Sequence, residues 1–194
     1  MSWLQVDNLV GNTVELRPLR RDDRDALLQA ASDGELWKLW FTSVPSAETV
    51  DAYLDLAFKQ LQAGASFPFT VIDRASGKVI GSTRYCNIEA PHQRAEIGYT
   101  WYARSFQRSA VNPECKYLLL THAFEICGAV AMEFRTHFMN QPSRRAIEGL
   151  GAKLDGVLRN HRIEPDGAFR DTAVYSIVRE EWPAVKNGLL HRLN

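Results

Sequence analysis

The stretch Phe106-Gln-Arg-Ser-Ala-Val-Asn-Pro-Glu-Cys-Lys116 holds the densest candidate chemistry in the chain. Asn112 is a residue type that caps helices, and Pro113 suits a first helical turn. The N–H groups of such a turn lack helical partners, and the helix dipole makes them attract anions. Arg108 adds positive charge and Ser109 a hydroxyl donor. A pyrophosphate suits this set of groups. An ordinary capped helix would use the same residues, and Glu114 in the first turn would itself answer the dipole. The stretch alone leaves both readings open.

Other chemistries find no pattern. There is no His-Glu-x-x-His or Cys-x-x-Cys spacing for zinc, and no Gly-x-Ser-x-Gly elbow for a hydrolase. The Gly-x-Gly-x-x-Gly and P-loop patterns are missing too. His122 and His137 read as incidental residues of a helix and a strand. Cys86, Cys115 and Cys127 read as core thiols.

Alternating elements with short connections predict one α/β domain over 1–194. Val14 to Arg17 reads as a strand, Arg20 to Ala31 as a helix, and Ser46 as the cap of a second helix that Gly64 stops. Phe67 to Ile72 and Val79 to Cys86 form a hairpin across the polar turn 73–78. Arg94 to Tyr102 alternates, with Ala95, Ile97, Tyr99 and Trp101 on one face and Glu96, Gly98, Thr100 and Tyr102 on the other. A helix from Pro113 to about Cys127, a strand from Val130 to Phe138 and a helix from Ser143 to Leu150 follow. Strands at 153–163 and 170–178 come next, then a polar tail. The segment from 95 to 138 predicts a right-handed crossover between two parallel strands, hence a mixed sheet.

The 194 residues carry 23 Lys plus Arg and 23 Asp plus Glu, so there is no basic excess of the kind nucleic-acid binders show. No apolar run approaches the roughly 18 residues needed to span a bilayer. The start lacks an export-signal pattern, and an odd number of cysteines then suggests reduced thiols in a cytoplasm.

Several motifs, in order, carry a resemblance. Glu96-Ile-Gly-Tyr-Thr-Trp101, Gln107 to Lys116 and Leu118-Leu-Leu-Thr-His-Ala-Phe-Glu125 are similar to the coenzyme A-binding core of GNAT acetyltransferases. Asn140-Gln-Pro-Ser-Arg-Arg-Ala-Ile-Glu-Gly-Leu-Gly-Ala152 resembles the next family motif, and Tyr175 to Trp182 the last strand. The opening Val14-Glu-Leu-Arg-Pro-Leu19 also fits. The branch resembled is that of enzymes acetylating N-termini of ribosomal proteins. The family commonly has glycines where Arg108 and Ala110 stand.

The resemblance implies a mostly antiparallel mixed sheet with helices on both faces and a splayed parallel strand pair, 94–102 and 130–138. The cosubstrate would be acetyl-CoA, with no metal. Gln107, Arg108, Ser109, Ala110, Val111 and Asn112 would wrap the pyrophosphate, with Trp101 before them. Asn140 and Ser143 would meet the pantetheine or adenine end, and Arg144 a phosphate; Asn140 equally suits a helix N-terminus. Attack on a thioester requires a neutral amine, so a base must take its proton. Glu96 is the first candidate, and an ion-paired surface glutamate is its plainer reading. Tyr175 and Ser143 are candidates to protonate the leaving thiolate. Trp37, Trp40 and Phe41 would wall the acceptor site or pack in the core, with Tyr85 and His92 as weaker candidates. The expected partners are a coenzyme A thioester and an amine, either a peptide N-terminus or a small molecule. Neither nucleic acid nor membrane is expected, and a homodimer fits. A non-catalytic acyl-CoA-binding or scaffolding domain is the alternative.

Overall fold

The computed structural model describes residues 3–164 and 166–193. Its strands are β1 (Leu9–Val10), β2 (Val14–Pro18), β3 (Ser66–Asp73), β4 (Val79–Glu89), β5 (Arg94–Tyr102), β6 (Ala131–His137), β7 (Lys153–Ile163) and β8 (Phe169–Val178). Its helices are α1 (Arg24–Ser32), α2 (Val50–Gln62), α3 (Val111–Thr121), α4 (Gln141–Gly149) and α5 (Trp182–Leu193). The strands form one sheet in the order β1-β2-β3-β4-β5-β6-β8-β7. Every neighbouring pair is antiparallel except β5 and β6, which α3 connects as a parallel crossover.

Local chemistry sets these elements. The β3–β4 turn closes because Asp73 accepts from the Ser76 amide at 2.9 Å and hydroxyl at 2.6 Å, while Gly77 supplies a φ of 68°. Helix α2 buries Val50, Tyr53, Leu54 and Ala57 at helical spacing. With Leu27 and Ala31 of α1 and Trp101 of β5 they form the core on one sheet face. Leu119 of α3, Ile147 of α4 and Val185 of α5 cover the other face, over Tyr85, Ile97 and Phe134.

Five sequence expectations need correction. The polar tail is helix α5. Its Trp182, Val185 and Leu189 are buried at i, i+3 and i+7, with polar residues between them on the solvent side. Asn112 does not cap α3, which starts at Val111. There the Ser109 hydroxyl accepts from the Val111 amide at 3.3 Å, while Asn112 accepts from the Tyr102 hydroxyl at 3.2 Å. Ser46 lies one turn before α2, where its carbonyl accepts from the Val50 amide at 2.9 Å; Thr49 holds the cap position. The helix expected to reach Cys127 widens after Thr121 into a π-turn, His122–Ile126.

The last correction concerns β5. Its alternation breaks at Tyr99, which takes a φ of 51° where the β4–β5 register shifts between Ser82 and Arg84. A bulge of this kind inserts one residue and moves everything after it to the opposite face. Thr100 and Tyr102 therefore meet α3, through Lys116 and Asn112. Tyr99 and Trp101 face α2, against Arg84 and Tyr53.

Candidate active site

The β5–β6 ladder is short. Its registered pairs are Arg94–Ala131, Ala95–Met132 and Glu96–Glu133, although β5 continues to Tyr102 and β6 to His137. Beyond Glu96 the strands part, and the main-chain groups of β5 and β6 that turn toward the gap lose their sheet partners. Such groups can pair with an extended ligand arm or donate to a developing oxyanion.

At the far end of β5 lies the loop before α3. Gln107 through Ala110 are exposed, and Arg108 adopts a φ of 59°. Arg108 thus takes up the left-handed conformation that glycine would favour, and Ala110 needs none, at −66°. Glu114 does not answer the dipole of its own helix. Its carboxylate turns to the β1–β2 turn, accepting from the amides of Asn12 (2.6 Å), Thr13 (2.8 Å) and Val14 (3.0 Å) and from the Thr13 hydroxyl. The first turn of α3 keeps its positive end for an anion.

At the fork of the strands Glu96 is buried, 8% exposed. Its carboxylate accepts from Asn87 Nδ2 at 2.6 Å and stands 3.8 Å from Arg135 Nε. Burial raises its pKa above the ordinary 4.5, and Arg135 and Asn87 offset only part of that. Arg135 is engaged elsewhere: it donates to Glu133 at 2.8 Å and 3.1 Å, and Arg94 donates to Glu133 at 2.5 Å. Glu133, with two guanidinium partners, stays below 4.5 despite its own burial. Two carboxylates at the same level of the sheet thus sit on opposite sides of their ordinary value.

On the same face, a cavity of about 440 Å³ is lined by Trp40, His137, Met139, Glu164, Asp166 and Phe169, among others. Trp40 meets the His137 ring edge-on at 4.9 Å, bridging the loop before α2 to the end of β6.

A model of the GNAT acetyltransferase domain matches residues 13–153. The chain belongs to the GNAT acetyltransferase family. It is 25% identical over 182 residues to an uncharacterised N-acetyltransferase, p20, of Bacillus licheniformis, covering 91% of this chain and 99% of that one. It superposes with a TM-score of 0.88 on a crystal structure of a GCN5-related N-acetyltransferase from Brucella melitensis, at 32% identity over 98% of this chain and 86% of that one. The fold likeness extends to Mycobacterium smegmatis RimJ in complex with CoA-disulfide, with a TM-score of 0.76, 22% identity, and coverage of 95% and 91%.

The other residues singled out in this GNAT chain fall in several places. Asn140 is the N-cap of α4, accepting from the Ser143 amide at 3.1 Å. Ser143 is half-buried at the same helix end. Arg144 donates to the Tyr175 hydroxyl at 2.8 Å and lies over the Phe138 ring, so its guanidinium is engaged within the protein. Tyr175 is fully buried and donates to Glu148 at 2.7 Å, which commits its proton to α4. Trp37 packs half-buried against the α1–α2 core, and Phe41 meets Trp40 edge-on at 5.4 Å. Tyr85 does not join the acceptor side: it is buried under α3, donating to the Leu119 carbonyl at 2.6 Å. No group of three or more His, Cys, Asp or Glu among the described residues is arranged for a metal ion. None of their helices is long and apolar enough to cross a membrane.

Asn87, Arg135, Arg84 and Tyr53 join this side of the sheet from outside the sequence motifs, and His137, incidental by sequence, lines the cavity. Arg84 had a visible signal: an arginine alternating with Ser82 and Cys86 on a central strand. Asn87 had none, because its role depends on a φ of 47° at the end of the β4 ladder.

Proposed function

We propose that this GNAT chain transfers an acetyl group from acetyl-CoA to a primary amine by direct attack on the thioester, with Glu96 as the base. The observation that carries the reading is the placement of a buried, pKa-raised carboxylate at the point where the parallel ladder opens. The pyrophosphate would lie against the main chain of residues 107–112, with Arg108 and Ser109 beside it. The pantetheine arm would run along the open edge of β5.

The amine nitrogen attacks the carbonyl carbon, and its proton passes to Glu96 directly or through one water. The carbon–sulfur bond breaks, and the electron pair leaves with the thiolate. Ser143 or solvent returns a proton to sulfur more readily than Tyr175, whose hydroxyl is tied to Glu148. The cavity beside Trp40 and His137 would receive the part of the acceptor that points away from Glu96. The family-favoured glycines gave reason to consider a domain that only binds acyl-CoA. The left-handed Arg108 weakens that reason, because the loop reaches the glycine-like conformation without one.

Thiol release from acetyl-CoA over a panel of amines, amino acids and peptide N-termini tests the reading. Acceptor-dependent release, lowered at least about 100-fold by Glu96→Gln, is expected. Coenzyme A binding with no release for any acceptor would favour the non-catalytic alternative.

A further inference from the structure

Two residues along β4 from the strand partner of Glu96 stands Arg84, on the same face of the sheet. Cys86 pairs with Glu96 and Arg84 with Gly98, so Arg84 and Glu96 are diagonal cross-strand neighbours about 7–8 Å apart. Arg84 is fully buried, and its Nε, Nη1 and Nη2 meet no hydrogen-bond partner among the described residues. Its guanidinium lies between two rings, 4.5 Å from the centroid of Tyr53 and 4.4 Å from that of Tyr99.

The two rings compensate part of the charge by cation–π attraction. Neither ring supplies an acceptor to the guanidinium N–H groups. The N–H donors lie in its plane, and that edge is unmatched. A buried cation with an unmatched edge is costly to keep, and a well-packed apolar side chain would serve stability better. Glu96, the carboxylate at the neighbouring position, is held by Asn87, with Arg135 3.8 Å away. The bulge at Tyr99 is a second sign of demand here, because it places a non-glycine residue at φ 51° to bring its ring over Arg84.

We infer that Arg84 is a specificity residue that pairs with a carboxylate of the acceptor, so that the preferred substrates are amines carrying a carboxylate a few bonds from the nitrogen. The inference rests on the proposed amine acetylation with Glu96 as base. With the amine at Glu96, a carboxylate one strand step away meets the guanidinium edge, the geometry in which arginine binds carboxylates through two N–H groups. Tyr99 is half-buried, so its ring is the cover that a carboxylate would displace to reach the guanidinium edge. Free amino acids fit this description. Simple alkylamines and amino-acid amides do not.

The test compares free α-amino acids with their primary amides as acceptors, in the wild type and in Arg84→Met. The wild type is expected to show a KM for the acid about 10-fold or more below that for the amide. Arg84→Met is expected to raise the KM for the acid by about 10- to 100-fold, the size of a charged hydrogen-bond pair, and to move the amide little. Coenzyme A affinity serves as the control, and Arg84→Lys should recover part of the loss. Equal KM for acid and amide in the wild type would overturn the inference, even if Arg84→Met cannot be folded. So would an equal shift for both acceptors in the variant. If no amine is acetylated, the enzymatic reading fails separately. Arg84 is then read by thermal shift with coenzyme A present. Stabilisation of the wild type by the acid but not the amide, lost in Arg84→Met, supports it; no difference overturns it.

Discussion

Glu96 and Glu133 face each other as the last registered pair of β5 and β6, yet only Glu133 holds a guanidinium at close range. Arg135 is close enough to Glu96 to ease its ionisation but bonds to Glu133 instead. The pH behaviour of the site follows from that division. Glu96 titrates above its ordinary value, so kcat/KM should fall on the acid side through that raised pKa, and Glu96→Gln should abolish this limb along with most of the rate. The sign for stability is opposite. A carboxyl with a raised folded pKa binds more protons when folded, so stability declines as pH rises through it. Glu96→Gln should therefore be at least as stable as wild type at neutral pH, measured by Tm. A loss of stability there would mean that Glu96 is chiefly a structural ion-pair partner.

Lys116 offers a clean stability test away from the fork. It is buried on α3, donates to the Thr100 hydroxyl at 2.9 Å, and burial lowers its pKa to about 8. Between about 8 and the ordinary 10.5 the unfolded chain binds the proton that the folded chain has lost. Stability should then rise with pH across this window. Lys116→Met should flatten the rise and be the more stable protein near pH 7. Urea unfolding at several pH values measures both.

Glu114 behaves in the opposite way. Burial opposes its ionisation, but the Thr13 hydroxyl and the amides of Asn12, Thr13 and Val14 outweigh it and hold the pKa below 4.5. Its contribution is present above that value and disappears as pH falls through the folded pKa. Glu114→Gln should cost about 1.5–3 kcal/mol at neutral pH. Its stability curve should converge with that of the wild type in acid.

Arg108 separates backbone from charge. At φ 59° a glycine should be more stable than an alanine by about 1 kcal/mol, although both remove the guanidinium. Comparing Arg108→Gly with Arg108→Ala by Tm and by coenzyme A affinity reads the two contributions separately. Equal Tm values would indicate a loop that relaxes out of the left-handed conformation.

The chain order of elements was legible because most of them bury one face, and the apolar spacing records it. The expected limits of β5 and β7, 94–102 and 153–163, coincide with those observed. Departures came where a single residue changes the count. The bulge at Tyr99 moves Thr100 to the α3 face, and no alternation of residue types announces it. Asn112 has the residue type of a cap, but the Ser109 hydroxyl three residues earlier makes the first bond, to the Val111 amide. Helix α5 hid behind its polar side chains, because three buried residues suffice to dock it. At the site, Glu96 could be proposed from its strand face. Its partners Asn87 and Arg135 depend on tertiary register, which a linear sequence does not display.

The three pairs that join β5 to β6 also set the mechanical character of the molecule. Five strands on one side and three on the other meet at a seam only three residue pairs long, so few main-chain bonds tie the two halves of the sheet together. A ligand wedged into the opening would act as a splint, and amide exchange along the free lengths of both strands should slow when it binds.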